Sequence, residues 1–159
     1  MYYEFILVFI CGLLVKVVDN IEDRKKGKFL IKWPLAIVYG ILIGYLISQT
    51  SFSMFFLGAL LAQVLAGKID KPAHILGFLL SIVSAVYFGL PNLDYLPFVI
   101  FFITAYLDEL TLFGFWKIFI DYRLFLKIAA LAFIAIGRVD YLISVVTFDV
   151  GYLIAEKIR

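Results

Sequence analysis

Long apolar runs separated by short charged clusters recur along the whole chain, and this alternation limits what the chain can fold into more than any single residue does. A hydrocarbon crossing takes about 20 mainly apolar residues, and only helices and closed barrels satisfy every backbone polar group in lipid. These runs are continuous and lack the strict two-residue alternation of a barrel strand, so the expected class is all-α. With 65% hydrophobic and 16% charged residues in 159, the chain carries more apolar surface than a small water-soluble domain can hide.

The runs are Tyr3 to Val18, Pro34 to Ser51, Phe52 to Ala66, His74 to Leu90, Pro97 to Trp116 and Tyr141 to Ala155, with Leu124 to Gly137 the segment least able to cross. They predict one domain over residues 1–159, a polytopic transmembrane helical bundle of six spans, or five if 118–137 is re-entrant. Extending the weak segment back to Ile118 gives enough length but brings Asp121, Arg123 and Lys127 into its first turns, where they must lie at the interface or snorkel. The second and third runs follow so closely that a tight helical hairpin is expected. Pro34 suits a first helical turn, where its missing N–H costs nothing.

Charge supplies an orientation. Glu4 stands where a secretory signal would be basic, and the basic cluster follows the first run, so that run reads as a retained span with its N-terminus outside. Every Lys and Arg except Arg138 then falls on the inner side, as the positive-inside rule requires. The expected location is the cell membrane, multi-pass, with a cytoplasmic C-terminus. The basic residues alternate with carboxylates at membrane boundaries, a pattern for membrane lipids and not for nucleic acid. Cys11 is the lone cysteine, which excludes an intrachain disulfide and a CxxC redox pair.

Polar groups inside apolar runs are the candidate functional residues, because a charge in hydrocarbon is retained where protein or water solvates it. Asp108 and Glu109 in the fifth run, Asp149 in the last and Gln63 in the third are expected at similar depth, without a basic residue to neutralise them. Asp149, Tyr152 and Glu156 are spaced i, i+3, i+7 and form one helical stripe. Together these six residues predict a cation or proton path through a channel or transporter, with a divalent cation as the expected ligand and a homo-oligomer as the expected assembly. A second reading is a magnesium-dependent membrane enzyme acting on a lipid or prenyl phosphate at the cytoplasmic face. There Asp19, Asp23 and Asp70 hold metal while Lys68, Lys71 and Arg24 balance phosphate charge. A noncatalytic membrane scaffold is the third, with Gly58, Gly77, Gly114 and Gly137 available for close helix approach. No Gly-rich phosphate loop, HExxH site or Ser/His/Asp triad is present.

Overall fold

The structure, a computed structural model, describes residues 2–23, 30–110, 114 and 116–157. These form α1 (Tyr2–Asp23), α2 (Lys32–Ser48), α3 (Ser53–Leu65), α4 (Pro72–Phe88), α5 (Tyr95–Glu109), a short α6 (Trp116–Asp121), α7 (Leu124–Ala132) and α8 (Val139–Lys157). A 3₁₀ turn, Phe133–Ile136, extends α7. The fold is all-helical. Among the described residues no helix is long and apolar enough to cross a membrane: α2 and α4 have 17 residues each, and the longer α1 and α8 carry several charges.

The helices run up and down between two ends. Lys32 at the start of α2 meets Glu22 at the end of α1, and Asn20 of α1 donates to the Ala155 carbonyl near the end of α8. At the opposite end, the Tyr3 and Tyr45 hydroxyls lie 3.2 Å apart. The expected hairpin forms between α2 and α3, closed by Phe52 and Ser53 N–H donating to the Gln49 carbonyl.

Three helix pairs form the frame: α2 with α4, α1 with α8, and α3 with α5. Each is drawn together by glycine. A Cβ on Gly40 would stand 2.6 Å from the Gly77 carbonyl oxygen, and one on Gly44 would stand 2.5 Å from that of Ser81. Gly12 and Gly151 bring α1 and α8 together in the same way, and Gly58 lies against Phe101 and Phe102 of α5. Gly58 and Gly77 are therefore contact glycines as expected from sequence, whereas Gly114 and Gly137 have open space around them and adopt positive φ. Phe55, Phe101, Phe133 and Tyr141 fill the centre with edge-on and stacked rings.

Three expectations need correction. Among the described residues, and counting α7 with its 3₁₀ extension, seven long helical segments run between the ends, one for each of the seven apolar runs and one more than the six spans expected. An odd number is also what an N-terminus and a C-terminus on opposite sides require. The fifth helix stops at Glu109 instead of continuing to Trp116, because Leu110 is extended with ψ 151°; residues 111–113 and 115 lie outside the described set. Residues 118–137 do not make one helix. Arg123 adopts φ 49° and ψ 49°, a left-handed conformation that separates α6 from α7.

The outer surface is apolar. Ile75, Leu79, Ile82, Val83 and Val86 of α4 are exposed, as are Ile143, Val146, Val150, Leu153 and Ile154 of α8. Lys32, Asp108, Asp149, Ser81 and Ser144 are buried.

Candidate functional site

Charged side chains converge at the end of the bundle where α1, α3, α5 and α8 finish and α2, α4 and α7 begin. They line a cavity of about 400 Å³. Its polar wall includes Asp19, Lys68, Asp70, Lys71, His74, Glu109 and Arg123, while Val15, Ile43, Leu60, Phe78 and Phe148 make an apolar floor. Local turns place these groups. At the end of α3, Gly67 takes φ 68°, Lys68 N–H donates to the Gln63 carbonyl and Gly67 N–H to that of Val64. This doubly bonded helix stop turns residues 68–71 across the mouth.

A smaller cavity, about 60 Å³, shares Val15, Ile43, Leu60, Gln63, Glu109, Arg123 and Phe148 with the larger one. Gln63, Asp108, Glu109 and Asp149 all line it, so the structure brings these four together. Tyr152 lines the larger cavity, between Lys16 at 4.8 Å and Arg123 at 4.6 Å from its ring centroid. Glu156 is exposed and lines neither cavity.

The acids are not left without basic partners, as the sequence suggested. Lys127 Nζ lies 2.6 Å from Asp149, Arg123 lies 3.8 Å from both Asp149 and Glu109, and Lys68 lies 4.0 Å from Glu109. Arg123, left-handed just before α7, and Lys127 in its first turn both reach Asp149 of α8, so residues assigned to an interface meet an acid of the apolar run. Asp108 has a different role. Its carboxylate accepts from Phe125 N–H at 3.2 Å and Leu126 N–H at 2.9 Å, capping α7 from a separate helix. Asp108 and Glu109 occupy the last turn of α5, not mid-helix positions.

The proposed metal ligands also sort differently. Asp19 and Asp23 both bind Lys71, at 3.3 and 2.6 Å, and Asp19 also meets Lys16 at 3.1 Å. Burial pushes the Asp19 carboxyl up, but the hydrogen bonds and charges of Lys16 and Lys71 outweigh it and hold the group below the ordinary carboxylate range. The Lys71 ammonium is held above its usual value, chiefly by its hydrogen bond to Asp23 and then, against desolvation, by Asp19. Asp70 lines the cavity apart from this network, and among the described residues no three His, Cys, Asp or Glu side chains form a metal-binding group. Of the phosphate candidates, Lys68 lines the mouth with its side chain 51% exposed, Lys71 is engaged by two carboxylates, and Arg24 lies outside the described residues.

Sequence reasoning missed Arg123 as a site residue, and His74 as part of the cavity wall. His74 Nδ1 is 3.2 Å from the Tyr39 hydroxyl and Nε2 is 3.9 Å from Asp19. The available signal was the pair Arg123 and Lys127, four residues apart, which marks the start of an apolar run with two cations. No protein-family model, curated protein or solved structure matches the chain.

Proposed function

We propose that this chain is a membrane-embedded helical bundle that binds the headgroup of a lipid phosphate in the larger cavity. The membrane setting is supported by the apolar outer surface, which would be costly in water over so many side chains. Helices of 17 residues reach about 25 Å, so the bilayer thins around them.

The observation that carries the headgroup reading is the pairing of loosely held cations with an apolar floor in one cavity. Arg123 and Lys68 meet Glu109 only at 3.8 and 4.0 Å, so a phosphate can take their donors without breaking a short hydrogen bond. Three basic and three acidic residues in the wall balance, so phosphate enters with a counter-charge; magnesium accompanying the lipid supplies one.

Binding of dioleoyl phosphatidic acid to the purified protein in nanodiscs, with and without magnesium, tests this reading. Arg123→Gln should weaken it about tenfold or more at unchanged helicity. Unchanged affinity in the folded variant would sink the proposal. The cation path is the second reading, favoured by Gln63, Asp108, Glu109 and Asp149 lining one small cavity. It requires that Asp149→Asn abolish cation flux into liposomes while phosphatidic acid still binds.

A further inference from the structure

We infer that the ligand reaches the cavity sideways from the lipid, through a slot between α3 and α4; this rests on the lipid-phosphate reading above. The two helices are consecutive and joined only by residues 66–71, yet any contact between them is marginal beside those each makes with its own partner. Each is claimed by another partner. α4 lies on α2 through Gly40, Gly44 and Gly77, and α3 lies on α5 through Gly58. Packed neighbours therefore run in the order α4, α2, α1, α8, α7, α5, α3, with α2 also touching α3 near their hairpin. The two ends of this series face each other across the cavity.

The cavity reaches that opening. Leu60 and Gln63 of α3 line one side and Gly77 and Phe78 of α4 the other. Lys68 stands on the connecting loop at the charged end, and both it and Arg123 approach Glu109 in the cavity wall. A phosphate held by these cations leaves its chains directed along Leu60 and Phe78. That polarity, charged at one end and apolar along the slot, matches a long-chain amphiphile and not a small water-soluble phosphate. Gly77 matters to the width, because a Cβ there would collide with the Tyr39 ring.

The test compares dioleoyl phosphatidic acid with glycerol 3-phosphate, which has the headgroup without chains, on the full-length protein in nanodiscs. Leu60→Trp narrows the slot from α3 and Phe78→Trp from α4; Leu79→Trp, on an exposed position of α4, is the control. Because Leu60 and Phe78 also line the headgroup cavity, the reading is the ratio of the two affinities: each slot variant should weaken the long-chain lipid about tenfold more than glycerol 3-phosphate, with helicity retained. The control should bind both like the parent. If both slot variants fold and both probes weaken equally, or neither weakens, the slot is not the route. If the parent chain binds neither probe, the headgroup reading itself fails.

Discussion

Asp108 shows how a residue can be marked by sequence and still be given its task by a distant element. An acid inside an apolar run must be solvated by something, and here two backbone N–H groups of α7 do so. Replacing Asp108 with Ala removes both acceptors and leaves the Phe125 and Leu126 N–H groups without them, which should cost about 1–3 kcal/mol. Asp108→Asn keeps one acceptor oxygen and should cost less. Thermal unfolding in detergent, followed by helical circular dichroism, checks the order; an Ala variant as stable as the parent would remove Asp108 as the cap of α7. Asp149 is solvated otherwise, by the ammonium of Lys127. Both residues stood out in the sequence as polar groups among apolar ones. Their partners did not, because residue 149 finds its cation 22 positions away on another helix, and no local periodicity encodes that meeting.

Among the elements, α2 and α4 are held most closely, and the reason lies in small residues. Gly40 and Gly44, four apart on α2, present a flat stripe to Gly77, Ser81 and Ser84 of α4. This spacing is legible in the chain, but a glycine's type says nothing about whether it serves contact or turn: of the four glycines expected at contacts, Gly58 and Gly77 serve there while Gly114 and Gly137 stand in turns. Gly44→Leu should force the helices apart and destabilise the fold by about 1–3 kcal/mol. Val83→Leu, on the exposed side of α4, should leave the melting temperature unchanged. Equal melting of parent and Gly44→Leu proteins would show that close approach contributes little. Arg123 is the element-scale surprise. Apolar periodicity cannot reveal the left-handed φ that divides residues 118–137, so the break and the inward placement of α7 were invisible before the packing was known.

At the scale of the molecule, the helices alternate between two ends, and the described basic residues gather at one of them while Arg138 stands at the other, paired with Asp140. In the proposed membrane setting the basic end faces the cytoplasm. A membrane-impermeant thiol reagent applied to intact cells should label Asp94→Cys and spare Asp70→Cys in a Cys11→Ala background. The reverse pattern would invert the orientation. This measurement reads sidedness alone and is independent of which ligand the cavity takes.

The sequence by itself determined the helical class, the hairpin between α2 and α3 and the acids that would need solvating, because the length of an apolar run and the polar residues within it are local quantities. Tertiary structure decided which cations meet those acids, where α5 and α7 end and begin, and that α3 and α4 part around a cavity. Those outcomes depend on which glycine-bearing faces find each other across the chain. Glycines bring α4 onto α2 and α3 onto α5, as they bring α1 onto α8, and α3 and α4, each held by a different partner, line opposite sides of the cavity.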